Sequence, residues 1–208
     1  MKNYKTVREE QSFEIVEKKS RFIGYVSPVS SEKEALEFLN KIRKKHWDAR
    51  HNVYAYSIAD INLSRCSDDG EPAKTAGAPI LDIIEKNGLS NIIIVVTRYF
   101  GGILLGTGGL VKAYSRAAAG VIEQSEIVVM KKATQFVITV SYQNLSRFEN
   151  EIERLDIIAL DKEFASDITI KCICKSEEYD NISYKFSELS NGSVEPIKIN
   201  ELFFGFSE

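Results

Sequence analysis

A glycine-rich segment of this 208-residue chain brings together groups that could bind an anion. It runs from Arg98 to Arg116 and holds five of the twelve glycines of the chain within nine residues. Glycine is favoured where the backbone must adopt a positive φ or lie close to another group. Free N–H groups at a helix N-terminus, beside cationic side chains, favour binding of a phosphate or carboxylate. The predicted anion-binding residues of this segment are Arg98, Gly106, Gly108, Gly109, Lys112 and Arg116.

The segment matches neither of two common phosphate-binding motifs. A Walker A loop requires a lysine directly after its last glycine, and Thr107 stands at that position. A dinucleotide-binding fingerprint that begins at Gly106 requires a third glycine where Val111 lies. A general anion site remains. The alternative is that the glycines only allow the loop to turn and the following helix to pack closely against a sheet.

A second set of candidate residues lies in the acidic segment 67–77. Its carboxylates could act as general acid and base or hold Mg²⁺ through oxygen ligands. The segment lacks the alternating ligands of an EF-hand loop, and clusters of Asp and Gly commonly form turns. We therefore predict no metal and no cofactor. The alternative is an enzyme that acts on a phosphorylated or peptidic small molecule, in a pocket of this segment and the glycine-rich segment, with the residues His51, Asp68, Asp69 and Glu71.

The two histidines lie in a locally basic stretch that also contains a tryptophan. His46 and His51 are five residues apart, whereas a helical zinc site requires a spacing of four. Cations around an aromatic side chain suit a phosphate backbone and a stacked base, although an ordinary solvated helix face is the alternative. The predicted nucleic-acid-binding residues outside the glycine-rich segment are Lys41, Lys44, Lys45, Trp47, Arg50 and Lys74.

Composition limits the class of protein. The formal net charge of −3 and the pI of about 5.6 exclude strong non-specific nucleic-acid binding, so any anion site must be local. No apolar run is long enough to span a bilayer, and the N-terminal residues have no apolar signal core. We expect a cytoplasmic protein without membrane contact. The three cysteines do not suggest a disulfide framework, and Asp68 and Asp69 would raise the pKa of a nearby Cys66 thiol, so we predict no catalytic residue.

Alternating strand and helix patterns position these candidates in the first part of the chain. Ser31 and Glu34 form a capping-box signature at the start of the first helix. The run from Ile92 to Val96 is typical of a buried strand. The predicted order is two strands within 13–29, a helix to Lys45, a strand at 51–59, a loop at 60–77, a helix at 78–87, a strand at 91–97 and a helix from about Leu110 to Gln124.

The pattern restarts after a boundary near residues 126–135. The order that follows is strand, helix, two strands, helix and strand, which is typical of the split βαβ arrangement of ferredoxin-like domains. We predict an α+β fold with two domains, residues 1–130 and residues 131–208. The elements of the second domain are predicted at 136–140, 145–155, 157–164, 168–175, 179–189 and 197–204.

Five segments in the first domain together resemble one protein family. The segments are Lys19–Gly24, Ala49–Tyr56, Ser67–Pro72, Thr75–Leu81 and Val96–Gly106, which read KSRFIG, ARHNVYAY, SDDGEP, TAGAPIL and VTRYFGGILLG. Their order over roughly residues 15 to 125 resembles the IMPACT/YigZ family. The residues that follow resemble the C-terminal domain of its bacterial YigZ-type branch, and not the RWD domain of the eukaryotic proteins.

The resemblance implies both a fold and a field of function. The first domain is expected to resemble the left-handed βαβ domain of elongation factor G, and the second the ferredoxin-like last domain of that factor. Eukaryotic IMPACT regulates translation by competing for the activator of an initiation-factor kinase, an activity that does not transfer without its RWD domain. The expectation is a translation-associated regulatory protein without catalytic activity that binds RNA or the ribosome. The resemblance also points to a translation-related protein partner.

Overall fold

The computed structural model describes residues 2–207, and these residues form two compact units. The first unit contains residues 2–130 together with residues 205–207, and the second contains residues 131–204. Both units combine helices with antiparallel strands. The predicted α+β class with two domains is therefore confirmed. None of the helices within residues 2–207 is long and apolar enough to cross a membrane.

The first unit contains three helices. Its elements are β1 (Tyr4–Val7), β2 (Gln11–Glu17), β3 (Ser20–Pro28), α1 (Glu32–Lys45), β4 (His51–Ile58), β5 (Leu63–Ser67), α2 (Gly77–Lys86), β6 (Ile92–Tyr99) and α3 (Gly106–Glu123). Strand β7 (Ile127–Val140) begins in this unit, where residues 127–130 pair with β1. The predicted cap of α1 is confirmed, since the Ser31 hydroxyl accepts a hydrogen bond from the Glu34 backbone N–H.

Five strands of the first unit form an antiparallel sheet in the order β2-β3-β6-β4-β5. Alternate residues of the central strand β6 point to opposite faces. Ile92, Ile94 and Val96 pack in one core cluster with residues of α2 and α3. Ile93 and Val95 pack in a second cluster with residues of α1. The continuous apolar run in β6 thus reflects a strand that is covered on both faces.

Two local predictions in the first unit were wrong. Residues 60–77 contain the edge strand β5, which pairs with β4 but carries mostly polar, exposed residues and therefore no apolar alternation. Helix α3 begins at Gly106 and not near Leu110. Glycine has a low helix propensity, but the buried alanine-rich face of α3, with Ala113, Ala117 and Ala118, stabilises the helix through packing.

The second unit has the predicted order of strands and helices. Its elements are the rest of β7, α4 (Leu145–Arg154), β8 (Ile158–Phe164), β9 (Ile168–Lys175), a short 3₁₀ helix (Ser176–Glu178), α5 (Tyr179–Leu189) and β10 (Ile197–Ser207), of which residues 205–207 belong to the first unit. The strands lie in the order β10-β7-β9-β8, and Phe148 of α4 and Phe186 of α5 pack in one core with the sheet. Cys172 belongs to that core, and burial raises the pKa of its thiol to about 12.

Candidate anion-binding cleft

A cleft of about 630 Å³ opens at one end of the sheet strands in the first unit. Strand β4 begins and strand β6 ends here because the two strands are antiparallel, and His51 lies directly opposite Arg98. Directly opposed residues of an antiparallel pair share a face of the sheet. The residues that line the cleft are Asp48, Arg50, His51, Arg98, Tyr99, Phe100 and Leu104.

Arg98 continues the row of β6 residues that faces α2 and α3, and it is buried. Its Nη1 donates a hydrogen bond of 2.6 Å to Oε1 of Glu71, and the two side chains are only 8% and 4% exposed. The Tyr114 hydroxyl donates to the same carboxylate oxygen over 2.7 Å. Burial, together with the negative charge of Glu71, holds the pKa of Tyr114 well above its ordinary value. The carboxylate is thus compensated by one cation and one neutral donor.

One donor of the Arg98 guanidinium has no acceptor. Nε is buried, and no described residue accepts a hydrogen bond from it. The rings of Phe22 and Phe100 lie 5.4 Å and 5.6 Å from the guanidinium carbon, so aromatic faces flank the cation. Buried polar groups are rarely left without partners, and such a group requires a specific explanation. Arg98 also lines the cleft, so an anion bound there would meet its guanidinium.

His51 is held by the acidic loop. Asp69 and Gly70 both have positive φ values, of 44° and 88°. The Asp69 carbonyl oxygen lies 2.8 Å from His51 Nδ1. Because a carbonyl only accepts, Nδ1 carries the proton, and Nε2 of the neutral ring is left as an acceptor. Nε2 lies 4.0 Å from Oε1 of Glu71. The structure thus brings His51 and Glu71 of the alternative enzyme site together.

The carboxylates of the other two residues of that site are engaged in local structure. Asp68 accepts hydrogen bonds from the backbone N–H groups of Lys74, Ala76 and Gly77. Burial opposes ionisation of Asp68, but these three bonds together lower its pKa. The Asp69 carboxylate accepts from Arg43 and from the backbone of β4. Within residues 2–207, no group of three or more His, Cys, Asp or Glu side chains could hold a metal ion.

A chain of hydrogen bonds supports the other wall of the cleft. Tyr99 donates to Asp48 over 2.9 Å, so its oxygen accepts from Nδ1 of His46 at 2.9 Å. Nε2 of His46 then accepts from the Tyr25 hydroxyl at 2.7 Å. Burial, and then the nearby charge of Lys45, lowers the pKa of His46. The imidazole is therefore neutral and buried, and it supports Tyr99. Although His46 belongs to the predicted basic stretch, its ring is not exposed to solvent.

The predicted basic residues differ in their surroundings. Arg50 lines the cleft and is exposed. Lys41 forms an ion pair with Glu10, Lys45 lies over the Tyr25 ring, and Arg116 forms an ion pair with Glu17. Lys44, Lys74 and Lys112 are exposed, and the Trp47 side chain is 84% exposed. Arg50 and Arg98 are thus the two predicted cations that the structure places in the cleft.

The glycines of the predicted anion site have two different surroundings. A Cβ on Gly106 or Gly108, in the first turn of α3, would meet no atom within 4 Å, and the helix has no side-chain N-cap. A Cβ on Gly101 would instead overlap the backbone of Lys19 and Ser20. Gly101 is therefore explained by close packing. The prediction of anion binding at the N-terminus of α3 stays a prediction.

Several residues that line the cleft or lie beneath it were not identified from the sequence. Phe100 and Leu104 lie within the glycine-rich segment, but their apolar residue type does not predict that they are exposed at a cleft. Tyr114 lies two turns into α3, and nothing in its sequence context indicates a bond to Glu71. Asp48 was a neighbour of the two histidines without an assigned role. These residues come together only through the pairing of β4 with β6 and the packing of α3.

Comparison with known proteins identifies both domains. The profile described as Impact N-terminal domain matches residues 18–122, and the profile described as Domain of unknown function (DUF1949) matches residues 138–193. IMPACT family member YvyE of Bacillus subtilis is 37% identical over 203 residues, which cover 97% of this chain and 93% of YvyE. IMPACT family member YigZ of Escherichia coli is 33% identical over 187 residues, which cover 88% of this chain and 92% of YigZ.

Solved structures are also similar to this chain. A crystal structure of a hypothetical protein matches 96% of this chain and 98% of its own length, with a TM-score of 0.62 and 30% identity. The two-domain translational regulator Yih1 matches 58% of this chain and 48% of its own length, with a TM-score of 0.39 and 27% identity. The profile matches and the bacterial relatives together cover both domains, so the chain belongs to the IMPACT family, in its bacterial YigZ-type branch.

Proposed function

We propose that this protein is a translation-associated regulator that binds RNA, free or within the ribosome, through the cleft and has no catalytic activity. The observation that carries the proposal is the buried Arg98 guanidinium, whose Nε has no acceptor among the described residues. A phosphate group would supply that acceptor. Family membership and the expected resemblance of both domains to an elongation factor favour a role in translation.

The mouth of the cleft offers the groups that a nucleotide requires. Arg50 is exposed there, and no ion pair with a described residue compensates its charge. Phe100 is 55% exposed and lies against the guanidinium of Arg98. An exposed aromatic ring beside cations suits a base stacked on the ring with its phosphate on the arginines. Lys44 at the end of α1 and Trp47 just after this helix are also exposed.

Binding has to be local because the protein is acidic overall. With a net charge of −3, bulk attraction for RNA is absent, and Asp48 in the cleft opposes an anion. We therefore expect modest affinity at physiological salt. It should fall steeply as salt rises, since each neutralised phosphate releases counterions.

Fluorescence anisotropy with a labelled, structured RNA over a salt series tests the proposal. The wild type should bind at low salt, and the double variant Arg50→Ala with Lys44→Ala should bind more weakly, with a salt slope reduced by about 2. Lys33→Ala removes a cation from the same helix, where it is paired with Glu37, and should change little. No binding at low salt, or equal binding of wild type and double variant, would overturn the proposal.

An enzymatic role is the second candidate, and one observation favours it. The Asp69 carbonyl fixes the His51 ring so that Nε2 is available as a base in the cleft, 4.0 Å from Glu71. Hydrolysis of a phosphate-ester and a dipeptide substrate should be assayed for the wild type and for His51→Gln. The proposal predicts no difference between the two proteins. Turnover by the wild type that is lost in His51→Gln would show that the protein is an enzyme and would contradict the proposed function.

A further inference from the structure

We infer that the floor of the cleft is a site for the phosphate monoester of a nucleotide, held by Arg98 and Arg50, with the base or sugar against Phe100. This inference deepens the proposed function and rests on it for one source of the ligand, the phosphorylated end of an RNA chain. A free nucleoside monophosphate is the other source of the same chemistry.

The Arg98 guanidinium has one nitrogen that is hydrogen-bonded within the protein and one buried donor without an acceptor among the described residues. Nη1 is bonded to Glu71, which holds the guanidinium in place, while Nε has no acceptor among the described residues. Arginine binds phosphate best when its planar fork is fixed in advance, because little conformational freedom is then lost on binding. The Glu71 bond, itself fixed by Tyr114, supplies that preorganisation.

The depth of Arg98 favours a chain end over an internal phosphate. The side chain is only 8% exposed, whereas Arg50, Phe100 and Leu104 at the mouth of the cleft are exposed. An internal phosphodiester carries two substituents, so the RNA chain on both sides of the phosphate would have to enter the cleft for it to reach the floor. A monoester carries one substituent, so the phosphate can reach Arg98 while the rest of the nucleotide stays at the mouth.

The donor groups of the cleft favour a phosphate with several acceptor oxygens. Arg50 and Arg98 are positive, Asp48 and Glu71 are negative, and His51 adds a positive charge only when protonated. The Asp48 carboxylate accepts a hydrogen bond from the Tyr99 hydroxyl, and its charge opposes an anion in the cleft. A phosphate monoester carries a charge of about −1.5 to −2 at neutral pH and has three acceptor oxygens. It therefore offers more acceptor oxygens to the two arginines than a phosphodiester does.

The size and the apolar rim of the cleft fit a mononucleotide. A volume of about 630 Å³ lies within the range of small-molecule sites. Phe100 and Leu104 are 55% and 82% exposed, so two large apolar side chains stand in water at the rim. Burial of such groups against a base would stabilise the complex, and the Phe100 ring already lies against Arg98.

Paired ligands test the inference. Isothermal titration calorimetry should compare adenosine 5′-monophosphate with adenosine, and anisotropy should compare one short RNA with a 5′-phosphate and with a 5′-hydroxyl. We expect the phosphorylated ligand of at least one pair to bind tenfold or more tightly. Preference in both pairs assigns the RNA end as a source, and preference in the adenosine pair alone assigns the free nucleotide.

Variants locate the site. Arg50→Ala should remove most of the phosphate preference, and Arg98→Lys, which keeps a cation for Glu71 but lacks Nε, should do the same. Phe100→Ala should weaken phosphorylated and unphosphorylated ligands alike. RNA that binds equally with either end, while the monophosphate does not bind, overturns the inference and leaves RNA binding intact. Absence of all binding overturns both proposals, and a preference unchanged in Arg50→Ala and Arg98→Lys overturns the location.

Discussion

The Arg98 guanidinium and the Glu71 carboxylate form a buried ion pair, with 2.6 Å between Nη1 and Oε1. The pair joins the end of β6 to the acidic loop, and the hydroxyl of Tyr114 adds α3 to the same oxygen. Three segments that are distant in sequence therefore meet at the floor of the cleft.

Glu71→Gln should destabilise the first domain by about 3–5 kcal/mol, because the amide leaves the buried Arg98 charge uncompensated. Urea unfolding followed by circular dichroism measures the effect. Glu17→Gln breaks the exposed pair with Arg116 and is the matched control. It should change the free energy of unfolding by less than about 1 kcal/mol. Equal effects of the two substitutions would show that the buried pair does not support the fold.

Gly101→Ala should impair folding, whereas Gly108→Ala should be tolerated. A Cβ on Gly101 would overlap backbone atoms of Lys19 and Ser20, which cannot move as a flexible side chain can. Gly108 lies in the first turn of α3 with open space around it, and alanine is favoured there by up to about 1 kcal/mol. Soluble yield and thermal unfolding midpoints measure the two effects. A Gly101→Ala protein with the midpoint of the wild type would contradict the close packing.

His46 should titrate below the ordinary histidine pKa, because burial disfavours its charged form. Protonation then favours the unfolded state. The stability contribution of His46 is fully present above the unfolded pKa of about 6.5, and it is lost as pH falls through the lowered folded value. An NMR titration of the imidazole signals measures this pKa directly. The chain has two histidines, so His46→Gln assigns the signal, and a midpoint above the ordinary value would contradict the buried support for Tyr99.

Asp68→Ala should cost about 2 kcal/mol, since it removes the acceptor for three backbone N–H groups at the start of α2. Asp68→Asn keeps one oxygen and should cost less. The lowered pKa of Asp68 also stabilises the fold above the ordinary Asp pKa, and this contribution is lost as pH falls through the lowered value. Urea unfolding at neutral and acidic pH measures both effects. Identical stability of Asp68→Ala and the wild type would exclude this role.

Most of the fold follows from local sequence patterns. The bounds of β9 and α5 agree with the prediction, because apolar periodicity and flanking turn residues are strong there. Strand β5 was missed because an exposed edge strand needs no apolar alternation. The start of α3 was missed because glycine propensity opposed a helix that tertiary packing stabilises.

The cleft could be predicted only in part. Residue type alone made candidates of four residues: Arg50, His51, Glu71 and Arg98. Nothing in the sequence shows that strand pairing places His51 opposite Arg98. The carboxylates of Asp68 and Asp69 were candidates for an enzyme site. In the structure they accept hydrogen bonds from nearby backbone N–H groups. A capping aspartate and a catalytic one have the same sequence signature, so only the structure separates them.

NMR observation of the Arg98 Nε–H during an RNA titration tests the central claim most directly, because this buried donor lacks an acceptor in the described part of the chain. We predict that its signal, together with the backbone amides of His51 and Phe100, shifts and saturates as a structured RNA is added at low salt. If the RNA binds while these signals stay unchanged, the cleft is not the binding site and the account is wrong.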